Sequence, residues 1–161
     1  IDRRFSFVDV GYSYRLTEME AALGIEQLEK IQQIIKKRQS HANYLIKGLK
    51  EFSDLIQLPV IPKDRTHVFL GFPIVINDKK ISRDKFILFL EKHGIETRYM
   101  MPLLNQPIYK EIFGKNIESH YPVAKHINNR GFYIGCFPEL EKEDLDYVIN
   151  IFKKALKIFQ K

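Results

Sequence analysis

The sequence predicts an α+β fold in which helices pack on one face of a small sheet, preceded by a long, kinked helix. Three observations carry that expectation. Apolar residues recur at helical spacing from Met19 to about Phe52. Residues 68–76 form an apolar, β-branched run of strand length. From residue 68 onward, strand and helix signals alternate in a layered α+β order: strand, helix, strand, loop with a short helix, strand, helix.

Residues 1–14 combine aromatics with Gly11 and lack a helical period, so they read as strand then loop. Thr17 is a suitable N-cap, and Glu20 three residues later completes a capping box. Beyond it Met19, Ala22, Leu23, Leu28, Ile31, Ile34 and Ile35 keep the helical period, with Glu26, Glu29, Lys30 and Lys36 between them. A helix running that far exceeds the usual globular length, so a kink or break is expected between Glu29 and Lys37, where two domains join. A short strand at 55–58 leads to a loop marked by Pro59 and Pro62. In the strand over 68–76, Pro73 points to an edge or a bulge. Ser82 caps the next helix, whose inner face is Phe86, Ile87, Phe89 and Leu90 and which stops at Gly94. A strand follows at 96–100, ended by Pro102. Pro122 starts a helix reaching Gly131, residues 132–134 form a third strand, and 142–158 a final amphipathic helix. Phe86, Phe89, Phe132, Tyr133 and Phe152 are assigned to the core.

Composition narrows the function classes. At 161 residues the chain is long enough for one domain, burying roughly two-thirds of its unfolded surface. Hydrophobic and charged contents of 45% and 29% are those of a globular protein and not of a disordered tail. The densest apolar run, 68–76, is interrupted by Gly71 and Pro73 and is far shorter than the ~20 residues of a membrane helix, so no membrane partner is expected. The single Cys136 excludes an intramolecular disulfide and suits a reducing, cytoplasmic compartment. Lys and Arg number 18 and 8 and interleave with acids, so the net charge of +6 does not describe a nucleic-acid surface. The histidines, at 41, 67, 93, 120 and 126, have no metal-ligand spacing, and no metal is expected. A Gly-rich nucleotide loop, a nucleophile elbow and a Cys/His nucleophile pattern are all missing. Asp144 and Asp146, two apart on a helix, face different ways and make a poor acid pair.

Two segments carry chemistry that could bind an anion. Gly11 to Arg15 precede a helix N-terminus, where backbone N–H groups and the macrodipole favour phosphate. Ser13 adds a hydroxyl donor and Arg15 a charged, bidentate one. The same residues also suit a solvent-facing turn with locally packed aromatics. Arg98 leaves a strand end for a loop, where it either meets an anionic ligand or pairs with an acid such as Glu96.

Several of these segments, taken in order, resemble a known family. They are Gly11 to Gly24, followed by Gln27-Leu28-Glu29-Lys30 and Lys37-Arg38; then Ile95-Glu96-Thr97-Arg98; then Asn105-Gln106-Pro107-Ile108-Tyr109-Lys110; and finally Phe132-Tyr133-Ile134-Gly135 through Asp144-Leu145-Asp146-Tyr147-Val148-Ile149. The family is the DegT/DnrJ/EryC1/StrS group of sugar aminotransferases, which have the fold type I architecture and use pyridoxal 5'-phosphate. The resemblance implies that residues 1–36 end the large cofactor-binding domain and that 37–161 are the C-terminal small domain. The chain, which begins with Ile1, is then expected to be the C-terminal part of a larger protein. That protein would be a homodimer with shared active sites. It would move an amino group, from glutamate, to a keto-deoxysugar nucleotide for lipopolysaccharide or other polysaccharide synthesis.

The implied cofactor contacts are Ser13, where the family usually carries Asn, and Arg15, at the family's basic position; both would reach the phosphate of the neighbouring subunit's cofactor. The implied substrate contacts are Arg98, Tyr99 and Asn105, although many relatives carry His near Asn105. The Schiff-base lysine of the family lies upstream of the Gly-Tyr loop. No catalytic residue is therefore expected in these 161 residues, and the fragment alone is expected to be inactive. Two alternatives remain: a sugar-nucleotide 3-dehydratase of the same family, in which His replaces the lysine, and a non-catalytic interaction domain.

Overall fold

The computed structural model describes residues 6, 8–9, 11–12, 16–100 and 103–160. Its first helix, α1 (Glu18–Leu49), spans 32 residues and continues into a 3-10 turn at Lys50–Phe52. The capping box at its start is present. Thr17 Oγ1 accepts from the Glu20 N–H at 3.3 Å, and Glu20 Oε2 accepts from the Thr17 N–H at 2.7 Å. The expected break between Glu29 and Lys37 does not occur, and α1 is one uninterrupted helix. Residues 30–36 contain neither Gly nor Pro, and their Gln, Lys and Ile side chains all tolerate the helix.

Among the described residues, four strands form one sheet in the order β1 (Ile56–Gln57), β2 (Gly71–Ile76), β4 (Gly131–Gly135), β3 (Thr97–Tyr99), antiparallel throughout. Because β2 and β3 both pair with β4, they run in the same direction. The last strand in sequence inserts between them, a split arrangement that no local signal announces. Pro73 sits where β2 pairs only with β4, since β1 reaches only Val75 and Ile76. The missing donor therefore meets no gap in a second ladder, and the edge reading of Pro73 holds locally.

The inner face of the sheet is built by alternation. Phe72, Ile74 and Ile76 on β2 and Phe132 and Ile134 on β4 are buried. Helices α2 (Arg83–Lys92) and α5 (Lys142–Phe159) and the second half of α1 supply Phe86, Leu90, Phe152, Leu156, Leu45 and Leu49 to the same core. Phe86 lies 5.7 Å from Phe152 and 6.0 Å from Phe132, ring centre to ring centre. Each fully buried phenylalanine contributes roughly 1.5–3 kcal/mol by leaving water. Ser82 caps α2 as expected, accepting from the Lys85 N–H, and Gly94 ends it with a φ of 76° that costs glycine little. Gly48 lets α1 lie close on α5, because a Cβ there would come within 2.9 Å of Ile149 Cγ1.

The chain divides into two compact units, residues 1–29 with 100–129 and residues 30–99 with 130–161. The first holds the beginning of α1, 3-10 turns at Leu103–Asn105 and Ile117–His120, α3 (Pro107–Phe113) and most of α4 (Pro122–Arg130). Leu16 just before α1 and Met19, Leu23, Ile25 and Leu28 along this part of it are exposed, Met19 by 80%. The second unit holds the sheet and the core.

Candidate functional site: a cleft at the β3–β4 end of the sheet

One residue holds the sheet's ends to α1. Arg38 Nη1 donates to the carbonyls of Cys136 at 2.8 Å, Leu70 at 3.1 Å and Phe69 at 3.2 Å. Phe69 has a φ of 60°, a conformation that strains a bulky residue, yet its ring is fully buried. His67 Nδ1 accepts its N–H at 2.8 Å, which helps fix that turn. Just past β4, the His41 ring donates to the Phe137 carbonyl at 3.0 Å.

With β4 fixed in this way, a cleft of about 590 Å³ opens where β3 diverges from the end of β4. That volume suits a small organic ligand. Its walls include Glu96 and Arg98 from β3 and the residue before it, Tyr133 and Gly135 from β4, Phe137 beyond it, and Tyr147 from α5. Arg98 Nη2 pairs with Glu96 Oε1 at 2.5 Å, with the Arg98 side chain 33% exposed. Asp144 also lines the cleft but serves the α5 capping box, accepting from the Glu141 N–H at 2.9 Å. Tyr147 donates its hydroxyl hydrogen to the His93 carbonyl at 2.9 Å.

Arg98 and Tyr99, expected together at one substrate site, alternate on β3 and face opposite sides of the sheet. Arg98 is opposite Tyr133 on the outer face, whereas Tyr99 is opposite Phe132 on the inner one. There the Arg83 guanidinium lies 4.4 Å from the Tyr99 ring centre. Burial, reinforced by Asp84, pushes the Tyr99 hydroxyl above its ordinary pKa. Asn105 lies in a 3-10 turn of the other compact unit, where its Oδ1 accepts from Gln106 Nε2 at 3.5 Å. Ser13 and Arg15 lie outside the described residues. The helix start is partly committed: the Thr17 and Glu20 N–H groups are taken by the capping box, and the Thr17 N–H and hydroxyl, both donating to Glu20 Oε2, hold the Glu20 carboxyl below its usual pKa.

Tyr133 is not in the core. It is half-buried on the outer face, between the inward Phe132 and Ile134. The signal was available as strand alternation across residues 131–135, but aromatic content alone grouped Tyr133 with the phenylalanines. Cys136 is buried, and desolvation pushes its thiol up to about 11. Among the described residues lining the cleft, Arg98 is the one cation and there is no lysine. Rings, an arginine and two carboxylates can bind and orient a ligand, and among the described residues lining the cleft there is no lysine or cysteine.

The fold and these segments belong to a recognised class. The model of the DegT/DnrJ/EryC1/StrS aminotransferase family matches residues 2–153, and the chain belongs to that family. It is 28% identical to the lipopolysaccharide biosynthesis protein RfbH of Salmonella typhimurium over 95% of this chain and 36% of that protein. It is 30% identical to the dTDP-4-dehydro-2,6-dideoxy-D-glucose 3-dehydratase of Saccharopolyspora spinosa over 92% of this chain and 32% of that enzyme. In structure it is similar to the putative sugar aminotransferase Spr1654 of Streptococcus pneumoniae in its PLP-form, with a TM-score of 0.76 at 20% identity, covering 89% of this chain and 36% of the other. The chain thus spans about a third of the length of these relatives, and it shares its fold with the Spr1654 structure over the part the two have in common.

Proposed function

We propose that this chain is the C-terminal part of a pyridoxal 5'-phosphate-dependent enzyme that transfers an amino group, from glutamate, to a keto-deoxysugar nucleotide. The observation that carries the reading is the family match across residues 2–153. The names of the relatives, which speak of lipopolysaccharide biosynthesis and of a dTDP-linked keto sugar, support the substrate class.

The cofactor, when bound, supplies an electron sink for the carbon that gains or loses the amine. The cleft has one arginine and no lysine, which fits binding of a phosphate-bearing ligand but not covalent anchoring of the cofactor. The family membership, not the cleft, is what supports assigning the anchoring lysine to a part of the protein upstream of these residues, and in this reading the isolated chain is inactive. Ser13 and Arg15 hold the phosphate of the partner subunit's cofactor by hydroxyl and guanidinium hydrogen bonds. Arg98 meets the substrate's phosphate from the outer face of the sheet, Tyr99 steadies β3 from the inner face, and Asn105 offers an amide to a sugar hydroxyl.

Residues 1–36 belong to the large domain in this reading and 37–161 to the small one. Exposure of Leu16, Met19, Leu23 and Leu28 supports that division, since Ala42, Leu45 and Leu49 farther along the same helix are buried. The exposed stripe also supports a homodimer with shared active sites. A cytoplasmic setting agrees with the single buried thiol. Among the described residues no helix is long and apolar enough to cross a membrane.

A second reading, a sugar-nucleotide 3-dehydratase, is favoured by the Saccharopolyspora spinosa relative. The two separate in a half-reaction. Cofactor-loaded protein mixed with glutamate alone yields one equivalent of 2-oxoglutarate per site and carries that amine to a keto-sugar nucleotide if it is an aminotransferase. Loss of the C3 hydroxyl without net amine transfer identifies the dehydratase, and the absence of both outcomes refutes both readings.

A further inference from the structure

The outer face of β4 and the residues just past its end carry a stripe that neither the core nor the expected site explains. Tyr133, Gly135 and Phe137 follow one another at every second residue, and all three line the cleft. The Tyr133 ring lies directly over Gly71, where a Cβ would come within 2.7 Å of its Cδ2. Gly71 is the cross-strand partner of Gly135. A Cβ on Gly135 would touch the Phe137 ring only at ordinary contact distance, 3.5 Å. Gly135 therefore forms a recess without a side chain between two rings, and Phe137 is 46% exposed beside it. Across the strand pair, Arg98 stands directly opposite Tyr133, where side chains of a pair come within roughly 5 Å at Cβ. Its present partner, Glu96, is itself 73% exposed. Such an exposed pair is worth about 1 kcal/mol or less and is easily exchanged.

We propose that Tyr133, Gly135, Phe137 and Arg98 form a subsite for a ring-bearing phosphate. A flat ring or sugar face lies in the Gly135 recess against Tyr133 and Phe137, and its phosphate displaces Glu96 from Arg98. The subsite rests on the proposed sugar-nucleotide reading for its ligand class and assigns residues to it. The ring could be the base or the sugar of a nucleotide sugar, because both present a face to an aromatic side chain and both adjoin phosphate.

The test is calorimetric binding of GDP and, separately, of glucose 1-phosphate to the protein and four variants. Gly135→Val suits a strand and fills the recess, so it abolishes binding while the melting temperature is kept. Tyr133→Leu weakens binding about tenfold or more, as loss of a stacking ring does, whereas Tyr133→Phe leaves it unchanged. Glu96→Gln releases Arg98 and tightens binding by up to about fivefold. A GDP response that depends on Tyr133 assigns the base to the recess, and a glucose 1-phosphate response assigns the sugar. In the unaltered protein, the same titration followed by NMR shifts the Gly135 amide first. Unchanged affinity in both Gly135→Val and Tyr133→Leu, a silent Gly135 amide, or no binding of either probe overturns the subsite. Binding that obeys this pattern in a protein that takes up no pyridoxal phosphate keeps the subsite and rejects the enzymatic reading.

Discussion

Arg38, on the long helix, donates a hydrogen bond of 2.8 Å to the carbonyl of Cys136, 98 residues later in the chain. The same guanidinium reaches the carbonyls of Phe69 and Leu70, so one side chain ties the entry of β2 and the exit of β4 to α1. Gly135, which lines the cleft, is the residue before Cys136, so Arg38 anchors the strand end that forms one of its walls.

Arg38→Ala should destabilise the protein by about 2–3 kcal/mol, since the charged donor leaves partly buried carbonyls behind. Arg38→Lys should recover only part of that, because an ammonium lacks the planar fork. Urea denaturation of the three proteins checks both statements, with Arg38→Lys expected between the other two.

Tyr44 donates to Asp146 at 2.6 Å, and Lys142 Nζ approaches the other carboxylate oxygen at 2.9 Å. Both bonds, the tyrosine's foremost, hold the Asp146 carboxyl below its usual range. A depressed carboxyl contributes stability above its unfolded pKa of about 3.9 and loses it as pH falls through the folded value. Tyr44→Phe should therefore flatten the acid limb of stability below about pH 4, and it should leave the slope between pH 5 and 8 unchanged. Thermal melts carried from neutral pH down through the acid limb below about pH 4 read the difference.

Gly48→Ala pits a gain in helix propensity of about 1 kcal/mol against overpacking that typically costs about 1–3 kcal/mol. A Cβ at this position meets both Cδ1 and Cγ1 of the buried Ile149, so the cost prevails and the variant should lose about 1 kcal/mol net. Adding Ile149→Val should return stability toward the single Ile149→Val value, a non-additivity that a double-mutant cycle measures.

Cys136, buried with its thiol pushed up to about 11, should be inert in the folded state. Ellman's reagent at pH 8 should release one equivalent of thionitrobenzoate promptly in guanidinium and almost none under native conditions over the same minutes. Prompt native release would place the thiol at the surface.

What the sequence disclosed was mostly local. The Thr17–Glu20 box, the Ser82 cap and the Gly94 stop are set within a few residues of themselves, and all three are present. The period of the long helix was equally plain, though its length suggested a break that its composition did not require. The insertion of β4 between β2 and β3 was not legible, because pairing partners lie tens of residues apart. The site suffered for the same reason. Arg98 and Tyr99 are neighbours in sequence and opposites on the strand, and Tyr133 looks like core until its alternation with Phe132 and Ile134 is counted. Arg38 was visible only as part of a motif, since its three acceptors come together through tertiary structure.

The most direct measurement is on the protein that carries this chain with its upstream sequence: load it with pyridoxal phosphate, record the visible spectrum, reduce with borohydride and map the labelled peptide. The account predicts cofactor uptake and a label on a lysine upstream of Gly11. Uptake without any labelled lysine would move the assignment to the 3-dehydratase. No uptake by the intact protein would contradict the account.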